Sequence, residues 1–156
     1  MTGVRIVVDD LTGGQIAALL EEHLAEMAAA TPEPESRHAL DLDGLRVPGI
    51  TFWSVWDVDT LVGCGAVKRL DPTHGELKSM RTTRARQGGG IGSALLAHII
   101  DESKAMGLRR LSLETGSAEF FAPARRLYRR FGFTECEPFA DYRPDPRSVF
   151  MTRALD

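Results

Sequence analysis

Four glycines, Gly88, Gly89, Gly90 and Gly92, stand at the mouth of an apolar helical pattern within residues 84–107. Ile91, Leu95 and Ile99 recur at the i, i+4 spacing of one helix face, and Leu96 and Ile100 widen the stripe. Gly107 follows the last turn, where a left-handed cap is expected. Strand-like runs flank the stretch, residues 76–82 before it and 109–114 after it. Strand, helix and strand in that order imply a parallel pair joined by a right-handed crossover. Ordering glycine backbone carries an entropy cost, so such a cluster needs a reason. A tight turn is one reading. The other is close approach of a ligand: bare first-turn N–H groups can point at an anion, which the helix dipole favours.

The other elements follow from local pattern. Residues 4–8 form a short β-branched run and read as a first strand. Thr12 and Gln15 have the spacing of a capping box, opening a helix that buries Ile16, Leu19, Leu20, Leu24 and Met27. Glu21, Glu22 and Glu26 fall among its solvated positions. Residues 37–49 are mixed, fitting a helical turn or two and then a loop broken by Pro48; they form a pocket wall or merely connect. Residues 50–56 and 61–70 read as strands joined across Asp57, Val58 and Asp59. Gly63 and Gly65 in the second suggest a bulge or close backbone packing. Pro123 suits the first turn of a helix running to Phe131 and capped by Gly132. Residues 133–139 and 148–153 supply a closing pair of strands.

With 156 residues, no internal repeat and no linker, the expectation is one mixed α/β domain over residues 1–156. A net charge of −3 argues against a nucleic-acid or membrane-surface role, since both favour a basic face. No apolar run is long enough to span a bilayer, and the polar start does not read as a signal peptide. Cys64 and Cys136 make no metal-binding spacing with His23, His38, His74 and His98. Both read as core thiols of a reducing cytoplasm, and no metal is expected.

Three anion-binding loops compete for the glycine cluster. A P-loop needs Lys and then Ser or Thr after its last glycine, whereas Ser93 follows Gly92 directly. A dinucleotide fingerprint needs a third glycine where Ser93 or Leu95 stands, although Glu114 could imitate its ribose-binding acid. The third match is Gln87-x-x-Gly90-x-Gly92, which resembles the Gln/Arg-x-x-Gly-x-Gly/Ala loop of the GNAT acetyltransferases. Two further segments resemble that family at the right separations. Residues 76–82 resemble the strand before the loop, and Ala124, Leu127, Tyr128, Gly132 and Phe133 match its Ala-x-x-Leu-Tyr-x-x-x-Gly-Phe motif. The resemblance covers nearly the whole chain and is weakest over residues 31–49.

It implies the GNAT acyl-CoA N-acyltransferase fold, a mostly antiparallel sheet with one parallel pair around the cofactor helix. It also implies acetyl-CoA as cosubstrate. Backbone groups of Met80, Arg81 and Thr82 would pair with the pantetheine arm like an added strand. Gln87, Gly88, Gly89, Gly90, Ile91, Gly92 and Ser93 would hold the pyrophosphate. Phe121 replaces an asparagine that often contacts the cofactor arm, so contacts near that helix are expected to differ.

Tyr128 stands where many members place the general acid. A phenol titrating near ~10 stays protonated beside a thiol of ~8.5 and can donate to sulfur. Glu76 stands where some members carry a general base; an ion pair with Lys78, two residues along the same strand face, is the competing role. One of Arg125, Arg126, Arg129 and Arg130 is placed to reach a nucleotide 3′-phosphate, or the run is a solvated face. Trp53, Trp56, Phe120, Phe121 and Tyr142 line an acceptor pocket or pack in the core. The expected activity is acetyl transfer to a small-molecule amine by direct attack, in a cytoplasmic protein for which a homodimer is common. The alternatives are a CoA-binding sensor without turnover, a protein or peptide acetyltransferase, and a nucleotide-binding protein.

Overall fold

The computed structural model describes residues 3–36, 38 and 40–156. Its strands are β1 (Val4–Val8), β2 (Ile50–Asp57), β3 (Thr60–Asp71), β4 (His74–Thr82), β5 (Arg110–Gly116), β6 (Thr134–Glu135) and β7 (Ser148–Ala154). The α-helices are α1 (Gly14–Ala30), α2 (Leu42–Leu45), α3 (Ile91–Ala105) and α4 (Ala122–Arg130). One sheet runs β1-β2-β3-β4-β5-β7-β6. Among the described residues only β4 and β5 pair in parallel, because α3 carries the chain back between them; the other neighbours are antiparallel. This is the mixed sheet expected.

Two apolar layers hold the sheet. Leu95, Leu96 and Ile99 of α3 and Tyr128 of α4 pack with Leu77, Leu111, Leu113, Phe133 and Met151. Ile16, Leu19 and Leu20 of α1 pack with Leu45, Phe52, Cys64 and Ala66. Each aliphatic side chain so withdrawn contributes roughly 1.5–3 kcal/mol of gross burial energy. Leu77 belongs to the α3 layer, so strand alternation turns its neighbours Glu76 and Lys78 toward the other face.

The glycines in β3 set the strand spacing. A Cβ on Gly65 would stand 2.7 Å from Met80 Sδ, and one on Gly63 would stand 3.0 Å from Ile91 Cγ2. The expectation of close packing is met, and the β3·β4 register slips beside these glycines, between Cys64 and Ala66. The extra residue lies in β4, where Cys64 pairs with Arg81 and Ala66 with Lys78. Ser79 there has φ 57, left-handed for a non-glycine residue.

Several local expectations are corrected. Thr12 and Gln15 form no capping box: the N-cap is Gly13 without a side-chain bond. The Thr12 hydroxyl donates instead to Asp10, at 2.6 Å. Gln15 is drawn to the β2–β3 hairpin, donating to Asp59 O and accepting from Leu61 N. Leu24 and Met27 are only half-buried, and Glu22 and Glu26 are ion-paired with Arg81 rather than left to solvent. The closing strand at 133–139 shrinks to Thr134–Glu135, although Cys136 N still donates to Phe150 O of β7 at 2.9 Å. Cys64 is a core thiol, whereas Cys136 is half-buried. Within 37–49, Arg37 and Ala39 lie outside the described residues, and the only helix among the others is the single turn α2, Leu42–Leu45.

Candidate active site

The β4–β5 ladder is short. It runs from His74↔Arg110 to Leu77↔Leu113, although both strands continue. Past Leu77 the strands part, leaving that edge of β4 without a neighbour. A cavity of about 830 Å³ occupies the gap. Its walls bring together Glu76, Met80, Arg81 and Thr82 of β4, Glu114 of β5 and Tyr128 of α4. Ser79 Oγ, at the bulge, is buried and has no hydrogen-bond partner among the described residues.

The glycine turn closes one end. Gly88 and Gly90 have φ of +80 and +88, and Gly90 is the left-handed N-cap of α3, with no side-chain cap. Here the glycines are required, because other residues strain at such angles. Gln87, Gly88, Gly90, Gly92 and Ser93 line the cavity, and Gln87 Nε2 donates to Thr82 O at 3.3 Å. Gly89 and Ile91 are not on its wall. The Gly89 N–H donates to Arg86 O at 3.2 Å, and the Ile91 side chain enters the core. Gly92 leaves room for Leu127, whose Cδ2 would lie 3.3 Å from an added Cβ. The result is an uncapped helix start facing a void, suited to an anionic group.

Tyr128 is buried beneath the cavity, its ring 5.9 Å from that of Phe133. Burial pushes its phenol above the ordinary range, and the charge of Glu114 pushes the same way. It stays protonated at neutral pH, as a proton donor must. Glu76 is also buried, and its Oε2 accepts from Lys78 Nζ at 3.0 Å and from the Tyr142 hydroxyl. The ion pair weighed against a base role is therefore present. Glu114 accepts from Ser148 Oγ at 2.8 Å.

Arg81 lines the wall, but its guanidinium reaches away to α1, donating to Glu26 at 2.6 and 2.9 Å and to Glu22. Arg84 reinforces the tie through Glu26 at 2.7 Å. His23, beside this network, is pushed down to about 4 by burial, with Arg81 adding to the shift. Of the four arginines on α4, Arg126 and Arg130 line the cavity. Arg125 donates to Gly116 O and Ala118 O, and Arg129 pairs with Glu135. Phe120, Phe121 and Tyr142 also line the cavity, while Trp53 is core and Trp56 packs against the α1 layer.

Sequence reasoning placed Tyr142 among the aromatic residues without linking it to Glu76, 66 positions away. It also read Glu114 only as a ribose-binding acid. A carboxylate closing the apolar alternation of Leu111 and Leu113 was the available signal.

The acetyltransferase (GNAT) family model matches residues 15–133, a span holding the bulged strand, the glycine turn and Tyr128. The chain belongs to the GNAT acetyltransferase family. It is 56% identical over 152 residues to the uncharacterized N-acetyltransferase YsnE of Bacillus subtilis, covering 97% of this chain and 100% of that one. It is 49% identical to the uncharacterized N-acetyltransferase YedL of Escherichia coli, covering 96% and 94%. The fold matches a GNAT family acetyltransferase from Elizabethkingia anophelis with acetyl-CoA bound. That match has a TM-score of 0.72 at 18% identity and covers 99% and 100% of the two chains. This GNAT protein is thus an acetyltransferase with acetyl-CoA as cosubstrate. The orphaned Ser79 hydroxyl, the open β4 edge and the uncapped glycine turn all fit that molecule. Among the described residues, no helix is long and apolar enough to cross a membrane.

Proposed function

We propose that the chain acts as a single GNAT domain and transfers acetyl directly from acetyl-CoA to the amine of a small molecule. The observation that carries this reading is the meeting of the β4 edge, the glycine turn and Tyr128 around one cavity. Acetyl-CoA supplies an acyl carbon already activated as a thioester. The unpaired edge at Met80, Arg81 and Thr82 takes the pantetheine amides, and a main-chain N–H there polarises the thioester carbonyl. The turn from Gln87 to Ser93 holds the pyrophosphate, with the first-turn N–H groups of Gly92 and Ser93, which line the cavity, as donors. Arg126 or Arg130 meets the 3′-phosphate. Tyr128 protonates the departing thiolate. Sequence put Glu76 forward as base, but its engagement by Lys78 and Tyr142 favours a wall-holding role.

A compact acceptor is favoured because Tyr142 and His38, in edge contact at 4.9 Å, narrow the far end of the cavity. The test is thiol release from acetyl-CoA across a panel of primary amines and peptides. Turnover of simple amines is expected. Acetyl-CoA binding without turnover points to a sensor, and turnover of peptides alone to a protein acceptor. A cytoplasmic homodimer completes the proposal; light scattering at a monomer's mass would remove the dimer.

A further inference from the structure

We propose that Glu114 is the catalytic base that takes the proton from the acceptor's ammonium group. This rests on the amine-acetylation reading above. Glu114 is the residue after Leu113, the last of β5 to pair with β4, so it stands at the point where the strands separate. It lines the same cavity as Tyr128.

Its surroundings differ from those of Glu76. Glu76 gives one oxygen to both an ammonium and a phenol, so that oxygen is already engaged by two donors. The hydrogen bond that holds Glu114 comes from a neutral hydroxyl, Ser148 Oγ. The charged and titratable groups facing it are Glu76 and Lys78 from β4, Tyr128 from α4, and Tyr142 and Asp145 from the β6–β7 connection. Burial pushes its carboxyl up to about 7, against the pull of Ser148 and Lys78. A base with that affinity is ionised often enough to act at neutral pH and strong enough to compete for an ammonium proton.

The protons and electrons balance. Glu114 accepts one proton from the ammonium, and the freed nitrogen lone pair forms the C–N bond at the thioester carbon. The C–S bond breaks with its electron pair on sulfur, which takes the Tyr128 proton. The phenolate then recovers the surplus proton of the new amide nitrogen, and Glu114 releases its own to solvent.

The test measures kcat against pH with phenethylamine, ethanolamine and glycinamide as acceptors, for the wild type, Glu114→Gln and Glu76→Gln. The wild type should show an acidic limb near pH 7, and Glu76→Gln should keep a limb displaced downward, because the Glu76 charge helps to raise Glu114. Glu114→Gln should lose that limb and about 100-fold in kcat. Calorimetric acetyl-CoA binding should stay within a few-fold, showing an intact fold. Infrared titration of the wild type should reveal a carboxylic band that disappears near neutral pH and is missing in Glu114→Gln. A retained limb in Glu114→Gln, or no such band, overturns the assignment while leaving amine acetylation standing. A panel on which nothing turns over removes both.

Discussion

Lys78 Nζ lies 3.0 Å from Glu76 Oε2, with both side chains almost wholly withdrawn from solvent. The Tyr142 hydroxyl donates to the same oxygen. Through this contact β4 grips the connection between β6 and β7, whose Phe139 and Tyr142 rings also pack on each other and on Phe150 of β7.

Breaking that pair from one side should be costly. Lys78→Met leaves a buried carboxylate without its cation, and the expected loss is about 3 kcal/mol in urea unfolding. Adding Glu76→Gln removes the orphaned charge and should restore most of the loss. A double variant no more stable than Lys78→Met would show that Lys78 matters through packing.

Tyr128→Phe should keep the aromatic packing against Phe133 and remove only the hydroxyl. Turnover is expected to fall about 100-fold, with acetyl-CoA affinity little changed. Equal turnover in steady-state assays would take Tyr128 out of the chemistry.

Glu114 carries a pH signature of its own. Its folded-state affinity for a proton is raised from 4.5 to about 7, so its contribution to stability is complete below pH 4.5 and lost as pH rises through about 7. Glu114→Gln, neutral at every pH, should therefore gain about 3 kcal/mol relative to the wild type above pH 7 and nothing below 4.5. Unfolding curves at pH 4.5 and 8 measure the difference directly.

Gly65→Ala tests the bulge. The added methyl would meet Met80 Sδ at 2.7 Å and Ile99 Cδ1 at 3.0 Å, pushing aside the Met80 side chain, which lines the cavity. A loss of roughly 1–3 kcal/mol and about a tenfold rise in KM for acetyl-CoA are expected. Gly14→Ala, where nothing lies within 4 Å, should leave KM unchanged and stabilise α1 slightly.

The parts of this architecture written in local pattern were legible in the sequence. The α3 stripe, the glycine turn, the β3 glycines and the Leu-Tyr helix each carry their signal within a few neighbouring residues. The first failures came where side chains had better partners elsewhere. Thr12 chose Asp10 over a capping role, and Gln15 chose the hairpin. Glu26 looked solvated on its own helix because Arg81, its partner, is 55 residues away. The pocket's far wall was hidden for the same reason: Tyr142 reaches Glu76 only because the sheet order sets β7 beside β5 and β5 beside β4.

The separation of β4 from β5 has a consequence for how such a protein can diversify. The opening comes from the path of the main chain, since a crossover through α3 makes the two strands parallel neighbours whose ladder stops after Leu77 and Leu113. Exchanging the residues that rim it would reshape the cavity and leave the gap between the strands in place. The opening itself is thus inherited from topology, whereas what happens inside it depends on a handful of replaceable side chains.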